Sequence, residues 1–399
     1  MGKEKSLKPI CTNALQNYGH MNKIIFVLPE YDDHTASHFR YTLELAESLS
    51  WHFEVFLFIE HCHGSVHLAH VQHYHVQRFH NFFFSFFERF FVFLYWRFLG
   101  SKLIYIHYSY FSALIGSFIM RFFGGKSFYW HCEQRAQFEI PFSFRFCVLK
   151  RKLFVDWPFR LILRMVHILI TCTEKMATYY HEIFKIPEKK ILVVHNWVDY
   201  KKIRKSCAQP DIELKKQLDI PNNYKVILFV HWLSPRKGSV YLMDIFEKIF
   251  EKRDDIVFLI IGDGPDKEKI SRQIGEKKYH SFVRILGAIP NSEIFRYFSI
   301  SDVFIVPSQN EEFGRVNIEA MACGIPIVAT HTFATEAIFS PLQKRYCSDP
   351  GDIPQFVSHI QAILDEMGLK EKLRDDGFKQ VEKYDKLSSV DKFILIFHE

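Results

Sequence analysis

The sequence lacks the signals of a metal-stabilised, secreted or membrane-spanning protein. Its eight cysteines include no CxxC pair, and several lie inside apolar runs, which favours reduced thiols in a cytosol. The first twenty residues contain no apolar signal-peptide core. The most apolar stretch, Phe82 to Trp96, is interrupted by Glu88 and Arg89, and it is shorter than the roughly 20 residues of a spanning helix. We therefore expect a cytoplasmic protein, soluble or peripheral at the inner face of the membrane.

The chain also has little excess charge of either sign. Its 51 basic and 45 acidic residues give a net charge of +6, which is too weak to indicate nucleic-acid binding. The chain is instead rich in apolar residues: 48% of its 399 residues are hydrophobic, and 42 are phenylalanine. This length and composition predict two or three domains with a sizeable core, and they exclude a disordered tail or a small disulfide scaffold.

Short apolar runs alternate with longer amphipathic segments, which is typical of parallel sheets covered on both faces. In the first half we predict strands at 23–30, 54–60, 102–108, 127–133, 167–173 and 190–196, and helices at 35–50, 110–123 and 174–184. After a polar stretch at 201–224, we predict strands at 225–231, 257–263, 283–287, 302–308 and 326–330. The expected fold class is α/β, with two doubly wound Rossmann-like domains facing a cleft at the carboxyl ends of their strands.

The strongest local signal is the segment from Glu311 to Gly324, which follows a predicted strand and opens a helix. Glu311 and Glu319 in this segment are separated by seven residues. Between them, Phe313–Arg315 would place backbone N–H groups at a helix N-terminus, which suits a phosphate or sugar oxygens, and Gly314 allows a close approach. The alternative is a helix whose first turn is simply stabilised by acidic residues.

With this segment the sequence resembles the retaining nucleotide-sugar glycosyltransferases of GT-B fold, in glycosyltransferase family 4 (glycosyl transferases group 1). The hallmark of that family is E-x7-E within a string like E-x-F-G-x-x-x-x-E-A-M-A-x-G, which this chain matches throughout. The resemblance covers roughly residues 22–399 and is most specific over 225–330. Further landmarks occur in family order at 196–199, 235–238, 262–265, 286–287, 302–308 and 324–330.

The resemblance implies an enzyme of hexosyltransferase type. Residues 22–200 would form a Rossmann-like domain that binds the acceptor, 225–385 a Rossmann-like domain that binds the nucleotide-sugar, and 386–399 a terminal helix that crosses back to the first domain. A sugar would move from a nucleoside diphosphate to a lipid-linked or polysaccharide acceptor with retention of configuration. The donor's own phosphate would assist a front-face displacement. No metal and no other cofactor are expected, because the nucleotide-sugar is a substrate.

The same resemblance implies roles for individual residues. Glu319 would accept hydrogen bonds from the donor ribose, Glu311 would hold a hydroxyl of the donor sugar, and Lys237 would neutralise the diphosphate. His131, at the end of a predicted strand, is expected beside the reacting carbon and is, with Glu311, a candidate catalytic residue. The remaining candidate donor-binding residues are Arg236, Gly238, Gly262, Gly264, Phe313, Gly314, Arg315 and Val316. The structural alternatives are a packed histidine at 131 and a solvated lysine at 237.

The chain departs from the family pattern at several positions. His231-Trp232 replaces the usual Gly-Arg, so one diphosphate cation is missing unless Arg236 or Arg315 supplies it. Residues 30–34 also replace the usual glycine-rich loop after the first strand. These departures keep two other functions open: a catalytically silent GT-B subunit that binds sugar or a partner enzyme, and a nucleotide-sugar epimerase, against which the E-x7-E string argues.

Two segments, 78–98 and 142–164, interleave aromatic and basic residues. Such segments suit an anionic membrane surface that presents a lipid-linked acceptor. We expect membrane contact through the basic cluster Arg145–Arg164, while most phenylalanines of both segments belong to the core. A dense histidine set between His61 and His75 has permissive spacing but no accompanying carboxylate arrangement, and we interpret it as surface strand and loop, not as a metal site.

Overall fold

The computed structural model describes residues 21–32, 40–134 and 156–399. Two parallel α/β units follow one another along the chain, one on a seven-stranded sheet and one on a six-stranded sheet. The predicted fold class is thereby confirmed. In the described part of the chain, no helix is both long enough and apolar enough to cross a membrane.

The first sheet has the strand order β3-β2-β1-β4-β5-β6-β7. Its strands are β1 (Lys23–Asp32), β2 (Glu54–His63), β3 (His73–Val76), β4 (Leu103–His107), β5 (Lys126–Trp130), β6 (Ile168–Thr171) and β7 (Ile191–Val193). Its helices are α1 (Arg40–Leu49), α2 (Phe82–Phe98), α3 (Tyr110–Phe123), α4 (Trp157–Met165) and α5 (Glu174–Phe184). Two short helices, α6 (Tyr200–Ser206) and α7 (Ile212–Gln217), lead into the second unit.

The second sheet has the order β10-β9-β8-β11-β12-β13. Its strands are β8 (Lys225–Val230), β9 (Ile256–Ile261), β10 (Val283–Gly287), β11 (Val303–Val306), β12 (Ile327–Thr330) and β13 (Cys347–Ser348). Its helices are α8 (Leu242–Phe250), α9 (Lys267–Gly275), α10 (Asn291–Ser299), α11 (Arg315–Cys323), α12 (Phe333–Ile338), α13 (Pro341–Lys344), α14 (Ile353–Asp365) and α15 (Leu369–Val381). The chain ends in α16 (Lys386–His398).

The last helix leaves the second unit and packs on the first sheet. Alternate side chains of a strand point to opposite faces of its sheet, and β4 shows this directly. Ile104 lies beneath Gly116 of α3 on one face, whereas the ring of Tyr105 packs on the other face, 5.5 Å from that of Phe393 in α16. A parallel bridge between Val198 and Asp385 fixes the start of this crossing.

One cysteine expectation is wrong. Cys132 and Cys172 form a disulfide, with their Cα atoms 5.8 Å apart, whereas the apolar setting of the cysteines predicted reduced thiols. These two residues follow the adjacent strands β5 and β6, whose carboxyl ends meet at one edge of the sheet. Among the other described cysteines, Cys207, Cys323 and Cys347 carry free thiols.

Candidate active site

Glu311 lies at the centre of a cluster of polar side chains at the carboxyl edge of the second sheet. It stands between β11 and α11, and its Oε1 accepts the backbone N–H of Gly314 at 3.1 Å. Its Oε2 lies 2.5 Å from Nζ of Lys237 and 3.1 Å from Nε2 of His231. Because three donors converge on it, the carboxylate is held in one position.

The charges of this cluster are set by its neighbours. Burial favours the neutral acid of Glu311, but the Lys237 ammonium and the His231 imidazole together hold its pKa below the usual range. The backbone N–H of Trp232 donates to Nδ1 of His231 at 2.9 Å, so Nε2 carries the proton that is donated to Glu311. Burial, together with Lys237, lowers the pKa of His231. The cluster is thus an ion pair between the Glu311 carboxylate and the Lys237 ammonium, with the neutral imidazole of His231 bound to the same carboxylate.

Glu312 points to the first unit and connects the two sheets. Its carboxylate lies 2.5 Å from Nη2 of Arg236 and accepts the backbone N–H of Gln134, beyond β5, at 3.1 Å. Burial and the charge of Glu311 raise the pKa of Glu312. Arg236, one of two arginines considered as the missing cation, is therefore already paired in this structure.

The N-terminus of α11 presents unblocked backbone amides. Gly314 precedes the helix with φ +66° and offers no side-chain cap, so the first amides, at Arg315 and Val316, have no capping side chain. Nε of Arg315 lies 3.4 Å from Glu319, and its guanidinium lies 4.9 Å from the ring centroid of Tyr41 in the first unit. Burial raises the pKa of Glu319, and the charge of Arg315 offsets part of that rise.

Two of the predicted glycines are required by close approach of the main chain. A Cβ at Gly238 would lie 2.0 Å from the carbonyl oxygen of Pro307, and one at Gly262 would lie 1.9 Å from that of His231. Both also have positive φ, +80° and +140°. Gly264 approaches the main chain of Leu233 in the same way. These glycines let the loops after β8, β9 and β11 pack closely against one another.

His131 lies at the end of β5 but has no exposed surface. Its Nε2 is 2.8 Å from the Tyr110 hydroxyl, its Nδ1 is hydrogen-bonded to the Tyr180 hydroxyl, and the ring packs on Phe159. Phe313, the other aromatic residue among the predicted site residues, is also buried, with its ring 5.6 Å from that of Tyr384.

Three buried residues of this region were missed by the sequence analysis. The side-chain amides of Gln134 and Asn317 and the hydroxyl of Ser308 have no hydrogen-bond partner within the described ranges. Unpaired buried polar atoms are uncommon in proteins, and two of these residues lie beside the Glu311–Glu312 turn: Gln134 donates its backbone N–H to Glu312, and the Asn317 amide lies next to Gly314. Only their positions after β5 and β11 and inside α11 could have indicated them.

The remaining predictions for sites fall elsewhere. Most of the Arg145–Arg164 cluster lies outside the described residues. The histidines between His61 and His75 lie at the end of β2, in the following loop and on the edge strand β3. Among the residues that the structure describes, no three His, Cys, Asp or Glu side chains are placed to hold a metal ion together.

Comparison with known proteins points to one family. Residues 210–380 match the family model described as glycosyl transferases group 1. A 2-deoxystreptamine N-acetyl-D-glucosaminyltransferase of Niallia circulans is 30% identical over 150 residues, which is 38% of this chain and 39% of the relative. An alpha-monoglucosyldiacylglycerol synthase of Acholeplasma laidlawii is 33% identical over 118 residues, 30% of each chain. The match thus spans well under half the length of these two relatives.

Solved structures match the whole fold. Anabaena Alr3699/HepE, in complex with UDP and glucose, superposes with a TM-score of 0.72 at 15% identity, covering 95% of this chain and all of that one. WaaG, a glycosyltransferase involved in lipopolysaccharide biosynthesis, gives a TM-score of 0.64 at 12% identity and 94% coverage of this chain. The segment at 210–380 thus matches the glycosyl transferases group 1 family, and the described chain has a GT-B fold like those of HepE and WaaG.

Proposed function

We propose that this protein is a glycosyltransferase that takes a sugar from a nucleoside-diphosphate donor and passes it to an acceptor with retention of configuration. The observation that carries the proposal is the Glu311–Lys237 pair beside the unblocked N-terminus of α11. A helix N-terminus with a nearby ammonium suits a diphosphate, and a carboxylate suits the hydroxyls of a sugar. Few other ligands combine these two chemistries.

The donor would displace the internal pairing of the cluster. In this proposal the diphosphate binds the Lys237 ammonium and the backbone amides of Arg315 and Val316. Glu311 is then able to accept a hydrogen bond from a sugar hydroxyl. Glu319, one turn into α11, accepts from the ribose. Stabilisation of the leaving diphosphate by charge and by oriented amides is the chain's main contribution to the rate.

The reaction in this proposal is a front-face displacement. The bond between the anomeric carbon and the diphosphate oxygen breaks, the acceptor oxygen bonds to the same face of that carbon, and its proton passes to the departing phosphate. His131 is proposed to act at this face. Both of its nitrogens are bound to tyrosine hydroxyls, and the Tyr180 hydroxyl in turn bonds the backbone of Glu133, so its proposed role is to position that main chain.

The acceptor is proposed to bind the first unit and to be a lipid-linked or polysaccharide glycan. Gln134 supports this placement, because its unpaired side-chain amide belongs to the first unit while its backbone N–H is bound to Glu312 of the second. A peripheral location at an anionic membrane surface belongs to the same proposal.

A catalytically silent subunit is the alternative that the site also permits. Trp232, 58% exposed, stands where the family has an arginine, and Arg236 is paired with Glu312. Donor hydrolysis with a panel of UDP- and GDP-sugars separates the two. An active enzyme hydrolyses at least one donor slowly without acceptor, and Glu319→Ala abolishes this. A silent subunit binds without hydrolysis, which would refute the proposed activity.

A further inference from the structure

We infer that helices α2 and α3 form a docking face for an anionic lipid bilayer. This inference deepens the proposed function, on which it rests for the lipid-linked acceptor, and it concerns residues other than those of the Arg145–Arg164 cluster. It also reverses the expectation that most phenylalanines of segment 78–98 belong to the core.

The outward side of α2 is a continuous aromatic stripe. Four aromatic residues at intervals of four positions, Phe83, Phe87, Phe91 and Tyr95, are 63%, 41%, 61% and 62% exposed. Residues three or four apart share one face of a helix, and rings along the stripe touch, with Phe83 and Phe87 5.1 Å apart. The opposite side, which includes Phe93 and Trp96, is buried on β2.

The charged side chains of α2 are all bound by protein groups and do not interrupt the stripe. Glu88 accepts the backbone N–H groups of Arg78 and Phe79 at 2.8 and 2.9 Å. Arg89 is buried and reaches Glu60 at 3.2 Å. Arg97 donates to backbone carbonyls at the end of α3. The exposed face of a 17-residue helix is therefore apolar along its length.

Helix α3 continues the same face. Phe111 and Phe122 are 47% and 68% exposed. The ring of Phe111 lies 5.2 Å from that of Phe82, and the ring of Phe123 lies 5.8 Å from that of Phe98. The aromatic surface thus extends across both helices, and exposed apolar surfaces of this kind mark interaction sites.

Charge around the face identifies the occupant. Between residues 77 and 132 Glu88 is the only acidic residue, whereas Arg78 before α2, Lys102 after it and Arg121 in the last turn of α3 are basic and exposed. Phenylalanine-rich helices with a basic rim lie in the interface of a membrane, where the rings enter the headgroup boundary and each cation gains on the order of 1 kcal/mol near anionic lipid. A protein partner would require acidic groups around an equally wide apolar patch.

Vesicle flotation tests the inference with the full chain and needs neither donor nor acceptor. The parent is mixed with vesicles of phosphatidylcholine alone or of phosphatidylcholine and phosphatidylglycerol in equal parts. We expect recovery with the anionic vesicles and much less with the neutral ones. The variant Phe83→Ser/Phe87→Ser/Phe91→Ser should lose about a hundredfold in partitioning, because three rings no longer enter the lipid.

Two further variants make the test specific. The control Ile212→Ser/Met367→Ser/Leu395→Ser removes three apolar side chains that are 62%, 99% and 65% exposed elsewhere, and it should float as the parent does. The variant Arg78→Gln/Lys102→Gln/Arg121→Gln should bind anionic vesicles more weakly, and added salt should weaken the binding of the parent in the same way.

Several outcomes would overturn the inference. These are equal recovery on both vesicle types, parental binding by the phenylalanine variant, and no binding by the parent. Sedimentation velocity identifies the main competitor: a parent that dimerises without lipid, and a phenylalanine variant that is monomeric, would assign the face to a second copy of the chain. A protein that floats but hydrolyses no nucleotide-sugar would leave this inference standing and would refute the proposed function.

Discussion

At the scale of single residues, the carboxylate of Glu311 is already hydrogen-bonded by protein groups that the nucleotide-sugar would replace. Lys237 and His231 both bind Oε2 of Glu311, and the backbone N–H of Gly314 binds Oε1. The sequence analysis identified Glu311 and Lys237 from their motif. It did not identify His231 as their partner, because contacts between residues some eighty positions apart depend on how β8 and β11 pair.

Replacing Lys237 tests the cation of this site. We expect Lys237→Ala to weaken nucleotide-sugar binding by about 1.5–3 kcal/mol, because a charged hydrogen bond to the diphosphate is lost. Titration calorimetry measures the change. Lys277→Ala removes a lysine that pairs with Glu247 on the surface, and it should bind donor as the parent does. Parental affinity in Lys237→Ala would refute the assignment of the diphosphate to this residue.

Glu319 predicts the pH dependence of donor binding. Burial raises its pKa, so its carboxylate takes up a proton at a higher pH than an ordinary glutamate. The protonated acid accepts ribose hydrogen bonds less well, and donor affinity should therefore fall as the pH drops from neutral through this raised pKa. Glu319→Gln should bind more weakly at neutral pH and show a flatter profile. An unchanged profile in that variant would assign the titration to another group.

At the scale of elements, the loops after β8 and β9 pack so closely that one position accepts no side chain. Gly262→Ala would place a Cβ 1.9 Å from the carbonyl oxygen of His231, at φ +140°. We expect a loss of more than about 2 kcal/mol in the free energy of unfolding, measured by urea denaturation. Gly275→Ala, inside α9 with no atom within 4 Å, is the matched control and should be neutral or slightly stabilising. Equal stability of both variants would contradict the close packing.

Most elements were predictable because their patterns are local. The apolar runs within β8, β9 and β11 predict buried parallel strands, and the structure confirms them. Strands β3 and β13 were missed, since one is a half-exposed edge strand of four residues, His73–Val76, and the other is only two residues long. Helix α2 was expected in the core because composition alone does not show which side of an aromatic helix meets the sheet.

At the scale of the whole molecule, three of the contacts between the two units in the described ranges bear on the site and on its setting. Glu312 accepts the backbone N–H of Gln134, the guanidinium of Arg315 lies over Tyr41, and α16 crosses to the first sheet. The first two contacts bring residues of the candidate site together with the first unit, so a ligand bound at α11 would alter the contact between the units.

The packing of α16 on the first sheet predicts a large loss of stability when one of its buried rings is removed. Phe393 has no exposed surface and lies 5.8 Å from the ring of Trp197. Phe393→Ala should lower the free energy of unfolding of the first unit by about 3–5 kcal/mol, as for other buried phenylalanines. Leu395→Ala, at a position that is 65% exposed on the same helix, should change it by less than about 0.5 kcal/mol. Similar losses in both variants would show that α16 does not pack as described.

The most direct test of the proposed function is calorimetric titration of the full chain with a panel of UDP- and GDP-sugars. The proposal predicts that one donor class binds the parent, that Glu319→Ala and Lys237→Ala each weaken that binding at least about tenfold, and that Lys277→Ala does not. Binding that is identical in the parent and in both site variants, or the absence of binding by every donor, would contradict it.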